Sequence, residues 1–156
     1  MPDGAGALIS ALRALEAAVK ELLALSYDKR RAIISGDTDR LTEISSAETR
    51  QITAVNAAER RRVAAMPDGA TLDGAISEAS AEDRAELARL KRGLAGEMRL
   101  LLDMNERSRR LLEERLNHTA ECIDALTLPE EPEGDIYTAD GRLRGGRDRG
   151  YYIGDA

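Results

Sequence analysis

Apolar residues recur at steps of three and four over most of the first 128 positions, which is the spacing of amphipathic helices. The longest such run covers residues 80–128, which hold no proline and only two glycines, Gly93 and Gly96. Ser80 is a good N-cap, and Asp83 takes the acidic position of a capping box. The apolar positions of the run are Leu87, Leu90, Leu94, Met98, Leu101, Leu112, Leu116, Ile123 and Leu126. One helix of this length reaches about 70 Å, so its apolar stripe predicts other helices packed along it.

Two earlier helices are predicted as those partners. Residues 7–35 carry a heptad seam that is clean in its first half, at Leu8, Leu12, Leu15, Val19 and Leu22. Gly36 then stops the helix, and Asp37 or Thr38 caps the next one. The second helix spans about residues 39–66 and has a narrow, alanine-rich apolar face, which predicts the loosest packing of the three. So short a connection implies an antiparallel helical hairpin.

Breaker residues delimit the remaining segments. Pro67 and Gly69 interrupt the chain, and residues 71–79 are expected to form a short helical turn that plugs the end of the bundle with Leu72 and Ile76. After position 128 the composition changes to proline, acidic residues, six glycines and four arginines. We therefore expect an all-α fold, an antiparallel helical bundle or coiled coil over residues 1–128, followed by a flexible tail over residues 129–156.

Composition narrows the classes of function. Aromatic residues make up 3 % of the chain, with no Phe or Trp, so the core is aliphatic and suits helix-on-helix packing. The net charge of −6 argues against nucleic acid as a partner. The arginines at 60–62 and at 107, 109 and 110 alternate with glutamates at helical spacing, which favours solvated helix faces.

Candidate chemistry is sparse. The single cysteine, Cys122, lies four residues after the single histidine, His118, so the two can face each other across one helical turn. Two ligands do not make a metal site. The sequence contains no catalytic motif, so we expect no catalytic residues, no metal, no cofactor and no enzymatic activity. Without a signal peptide or a membrane-length apolar run, the chain is expected to be cytoplasmic and not inserted in a membrane.

Polar and small residues inside the long helix leave alternatives open. Asn105 and Ser108 interrupt the seam; they either fix the register of packed helices or contact a partner. Gly93 and Gly96 either permit a close crossing with another helix or mark a bend.

Three sets of residues resemble the FlgN-type flagellar export chaperones. The first is the Gly36-Asp37 hinge of a two-helix opening, with Leu41, Glu43, Glu48 and the Glu59-Arg60 pair after it. The second is residues 101–112 of the long helix, where Asn105 matches a family asparagine and Ser108 stands in place of another. The third is Ile136-Tyr137-Thr138-Ala139-Asp140-Gly141, which resembles the family's tail signature.

The resemblance implies a chaperone for type III protein export in flagellum biogenesis. Such a chaperone binds the C-terminal helical region of hook-associated (hook-filament junction) proteins, prevents their premature assembly and delivers them to the export gate. Carried to this chain, cargo binding falls on the end of the long helix, at Leu111, Leu112, Leu116, Ile123 and Leu126. Docking to the cytoplasmic domain of the export gate falls on Ile136, Tyr137, Asp140 and Gly141.

A competing interpretation comes from the same bundle pattern. The seam of the long helix could make a homodimer, and the chain would then be a structural oligomerisation or adaptor module with no export role.

Overall fold

The computed structural model describes residues 4–127 in full and, beyond them, the backbone of residues 136–137, 142–144 and 150–152. Four helices follow in order: α1 Gly4–Ser35, α2 Thr38–Ala65, α3 Leu72–Glu78 and α4 Ala81–Thr127. Three short strands come after them: β1 Ile136–Tyr137, β2 Arg142–Arg144 and β3 Gly150–Tyr152. The chain divides into two compact units, Met1–Glu113 and Glu114–Ala156. The all-α bundle predicted from the sequence is confirmed.

The turn between α1 and α2 is determined by two adjacent residues. Gly36 adopts a positive φ of 71°, which costs glycine nothing, and its N–H donates to the Ile33 carbonyl oxygen. The Asp37 N–H donates to the carbonyl of Ala32, which completes a Schellman motif. Asp37 is at the same time the N-cap of α2, because its carboxylate accepts from the Arg40 N–H at 2.9 Å. One glycine and one aspartate thus close the hairpin.

Ion pairs with α1 indicate the directions of α2 and α4. Lys29 of α1 pairs with Glu48 of α2 at 3.0 Å, which fits the antiparallel hairpin. Arg13 pairs with Glu86 of α4, and seven residues later Lys20 approaches Glu97. Because the residue numbers of the paired positions increase together in the two helices, α4 runs parallel to α1.

The main core lies between α1 and the first part of α4. It consists of Leu8, Ile9, Leu12, Val19, Leu87, Leu90 and Leu94. Helix α3 packs Leu72 and Ile76 against this core at the end of the bundle where α1 and α4 begin, as the sequence predicted. Helix α2 contributes only two buried residues, Ile44 and Ala58, which agrees with its narrow apolar face.

The start of α4 has the predicted cap. The Ser80 hydroxyl accepts from the Asp83 N–H at 3.2 Å, and it also donates to the Asp83 carboxylate at 2.8 Å. The seam of the middle of α4 differs from the prediction at two positions. Asn105 is exposed, and Met104 is buried in its place. Met98 is also exposed, at 41 %. Ser108 is buried.

Three short strands form an antiparallel sheet in the order β1-β2-β3. The sequence analysis predicted no strand there. The strand positions hold β-formers such as Ile136, Tyr137 and Tyr151, with glycines between the strands. The predicted flexibility of residues 129–156 concerns mainly positions outside the described residues, and the predicted domain boundary at 128 stays a prediction.

Candidate functional site

The C-terminal part of α4 is the least covered part of the described chain. From residue 114 to residue 127 every residue is exposed. Within it Leu116, Ile123 and Leu126 are 67 %, 53 % and 85 % exposed. Their spacing of seven and three residues places them on one face of the helix. We call these three residues the C-terminal stripe.

The predicted cargo residues therefore fall into two groups. Leu116, Ile123 and Leu126 form the C-terminal stripe, whereas Leu111 and Leu112 are half-buried. An exposed row of large aliphatic side chains is the feature that marks an interaction surface, because water disfavours it. Periodicity alone predicted the apolar face but could not tell whether another helix covers it.

The polar side of this segment is acidic. Residues 114–127 contain Glu114, Glu121 and Asp124 against a single arginine, Arg115. Exposed carboxylates beside an apolar stripe favour a partner whose own apolar surface is flanked by cations.

Cys122 and His118 meet across one helical turn, as the sequence predicted, with 3.8 Å between Sγ and Nε2. Within the described residues no group of three His, Cys, Asp or Glu side chains could hold a metal ion. The pair thus lacks a third ligand among those residues.

The arginines that precede the segment form ion pairs within α4. Arg109 and Arg110 both donate to Glu106, and Arg107 pairs with Asp103 at 2.9 Å. The hydrogen bonds from Arg109 and then Arg110 lower the pKa of Glu106 to about 2. These arginines are a solvated helix face, as predicted, and they stabilise the helix ahead of the C-terminal stripe.

Two of the four predicted gate-docking residues lie in the sheet. Ile136 and Tyr137 form β1, where Tyr137 is in register with Leu143 of β2. Asp140 and Gly141 lie outside the described residues. Their role stays a prediction.

A second exposed apolar surface was missed by the sequence analysis. Met98 and Leu102 of α4 and Ile52 and Val63 of α2 are 41–63 % exposed. One signal was available: three consecutive leucines at 100–102 point about 100° apart on a helix, so one neighbouring helix cannot cover all of them.

None of the helices in the described residues is long and apolar enough to cross a membrane. A protein-family model described as FlgN protein matches residues 1–145 of the chain. This match confirms the resemblance that the sequence motifs indicated. No curated protein and no solved structure is significantly similar to the chain.

Proposed function

Because its chain belongs to the FlgN family, this protein is a flagellar export chaperone, and we propose that its cargo is a hook-associated protein held at the C-terminal stripe. FlgN proteins are chaperones and not enzymes, which agrees with the lack of a catalytic motif in the sequence. In this proposal the chaperone acts in the cytoplasm, binds the C-terminal helical region of its cargo, and brings the cargo to the export gate.

The exposure of Leu116, Ile123 and Leu126 is the observation that carries the proposal. An amphipathic helix of the cargo can lay its apolar face on this row, which is a common way for helical segments to bind. Full burial of a leucine or isoleucine side chain contributes about 1.5–3 kcal/mol. Three such side chains contribute about 5–9 kcal/mol in total. The cost of association is of similar size, so further contacts along the segment must add to the affinity.

Binding of this kind also explains how a chaperone without catalysis prevents premature assembly. The cargo surface that contacts the stripe is no longer available to another cargo molecule. Leu111 and Leu112, which are half-buried, extend the same surface in our proposal and contribute less area than the three exposed residues.

Docking to the cytoplasmic domain of the export gate is assigned to Ile136, Tyr137, Asp140 and Gly141. The support is the resemblance of residues 136–141 to the family's tail signature. Because cargo and gate are assigned to different residues, the chaperone can hold both together.

The test of cargo binding compares two leucine substitutions in one helix. Leu116→Glu places a charge in the C-terminal stripe. Leu100→Glu is the matched control, because Leu100 is a half-exposed leucine of α4 at 49 % and lies outside the stripe. Affinity for the C-terminal helical region of a hook-associated protein is measured by titration calorimetry, with circular dichroism as the check on folding.

We expect Leu116→Glu to weaken cargo binding at least about tenfold, or about 1.4 kcal/mol, and Leu100→Glu to leave it unchanged. If cargo binding survives a glutamate at each of the three stripe positions, the cargo surface lies elsewhere. A chain that binds no hook-associated protein at all would favour the oligomerisation or adaptor module instead.

A further inference from the structure

An apolar groove runs between α2 and α4 along one side of α1. It encloses about 330 Å³. Leu15 and Val19 of α1 form its floor. Its walls are Val55, Asn56 and Glu59 of α2 and Leu94, Ala95 and Met98 of α4. A groove between two helices over the floor of a third has the shape that receives a further helix.

The apolar walls continue beyond the enclosed part. Ile52 lies one turn before Val55, and Val63 lies one turn after Glu59, so both extend the α2 wall. Leu102 lies one turn after Met98 on the α4 wall. All three residues that extend the walls are more than half exposed. From Ile52 to Val63 the wall is about 16 Å long at the α-helical rise.

Two arginines without acidic partners stand at the edges of this groove. Arg60 lies one helical turn before Val63 on α2, and Arg99 lies one helical turn before Leu102 on α4. Both are exposed, and neither has a hydrogen bond or ion pair with the side chains of residues 4–127. A helix that fits the groove should therefore carry acidic residues beside its apolar stripe.

The C-terminal segment of α4 has that chemistry. The C-terminal stripe from Leu116 to Leu126 is about 15 Å long, close to the length of the α2 wall. Its flanking charges are the three carboxylates of residues 114–127 against one arginine. Helix α4 is uninterrupted from Ala81 to Thr127. The matching length and the opposite charges favour the segment of a second copy as the occupant of the groove.

We propose that the groove between α2 and α4 binds the C-terminal segment of α4 from a second copy of the chain. The stripe packs on Val55, Met98 and Leu102, and the acidic side of the segment lies beside Arg60 and Arg99. When each of two copies gives its segment to the groove of the other, the contact closes into a dimer.

Self-association of this kind covers the surface to which we assign the cargo. The free chaperone thereby protects its own exposed leucines, and cargo competes with the second copy for the stripe. This consequence rests on the proposed function, whereas the pairing of groove and segment does not. The pairing is therefore tested without cargo.

The experiment measures the mass of the full chain by sedimentation velocity, from low to high micromolar concentration. We expect the fraction of dimer to rise with protein concentration and to fall with added salt. Leu102→Glu alters the groove, and Leu116→Glu alters the segment. Each should weaken the dimer at least about tenfold, or about 1.4 kcal/mol. Leu100→Glu, a leucine two positions away that does not line the groove, should have no effect.

Mixing the two variants gives the sharper result. Leu102→Glu chains keep an intact segment, and Leu116→Glu chains keep an intact groove. A mixture should form more dimer than either variant alone, because only the heterodimer keeps one intact groove and segment. If the C-terminal stripes instead paired with each other as a coiled coil, Leu102→Glu would dimerise normally and the mixture would form no heterodimer, which would overturn the proposal.

A charge variant tests the same contact without a new charge in the apolar groove. The double change Arg60→Glu and Arg99→Glu should weaken the dimer while circular dichroism shows a folded chain. A wild-type chain that stays monomeric at every concentration overturns this inference and leaves the cargo proposal untouched. Loss of cargo binding in a chain that still dimerises affects only the cargo proposal.

Discussion

Gly93 of α4 lies directly against the Glu16 carboxylate of α1: a Cβ at position 93 would be 3.1 Å from Glu16 Oε1. Glu16 is buried and is approached by two cations, Arg89 at 3.3 Å and Lys20 at 3.6 Å. Its carboxylate is therefore held in position and cannot easily yield to a methyl group. The glycine therefore leaves room for the Glu16 carboxylate against α4.

The comparison of Gly93 with Gly96 tests this relationship. A Cβ at Gly96 meets nothing within 4 Å, so Gly96→Ala should stabilise the protein by about 0.5–1 kcal/mol through helix propensity alone. Gly93→Ala gains the same propensity but displaces Glu16, so it should melt below the Gly96→Ala protein by about 2–4 °C or more. Equal thermal midpoints for the two variants would mean that Glu16 moves without cost.

Ser108 gives a second prediction. Its side chain is 2 % exposed, and no side chain or backbone group of the described residues bonds its buried Oγ. Ser108→Ala removes a polar group that burial disfavours, so it should raise stability by about 1 kcal/mol in chemical denaturation. The control is Ser26→Ala, whose buried hydroxyl donates to the Leu23 carbonyl at 2.7 Å; this change should not raise stability. A destabilised Ser108→Ala protein would show that the hydroxyl has a structural role.

Local signals explain why the helix boundaries were predictable. The turn at Gly36 and Asp37 and the cap at Ser80 depend on residues adjacent in sequence, so their structural effects could be predicted directly. The heptad seam of α1 was predictable for the same reason. Which faces of α4 stay uncovered depends instead on where α1 and α2 end and how widely they separate. Periodicity cannot supply that, and it placed Met98 and Asn105 in a buried seam, although both are exposed.

The same limit applies to the candidate site. An apolar stripe at Leu116, Ile123 and Leu126 has one sequence signature whether it is buried or exposed, and only the structure shows that it is exposed. The three strands were missed because each has only two or three residues, too few for a period-two pattern.

The lowered pKa of Glu86 predicts that the folded protein loses stability in acid. Hydrogen bonds from Arg89 and then Arg13 lower its pKa from 4.5 to about 2. Because the pKa is lower in the folded chain than in the unfolded chain, this contribution is complete above pH of about 4.5 and is lost as pH falls toward 2. Glu86→Gln should therefore lower the thermal midpoint at pH 7 and reduce its fall between pH 5 and pH 2.

The control for Glu86 is Glu106, whose pKa is also lowered to about 2. Its partners Arg109 and Arg110 belong to α4, whereas Arg13 connects Glu86 to α1. Glu106→Gln should consequently change the unfolding midpoint less than Glu86→Gln does. If both variants shift it equally, the bridge between the helices adds nothing to the pairs within one helix.

Tyr137 is the residue on which we test docking at the export gate. It follows Ile136 in β1 and precedes Asp140-Gly141, a pair typical of tight turns. A tyrosine offers a large contact area with few rotatable bonds, and its hydroxyl can pair in a partly hydrated pocket. Tyr137→Ala should weaken binding to the cytoplasmic domain of the export gate at least about tenfold, or about 1.4 kcal/mol. It should leave cargo affinity and the thermal midpoint unchanged, and it should lower motility.

Tyr151→Ala is the matched control, because Leu143 is in register with Tyr137 on one side and with Tyr151 on the other. Tyr151→Ala should keep gate binding. Equal loss of gate binding in both variants would point to the sheet as a whole, and a parallel loss of cargo binding with a lower midpoint would show that Tyr137 serves folding and not docking.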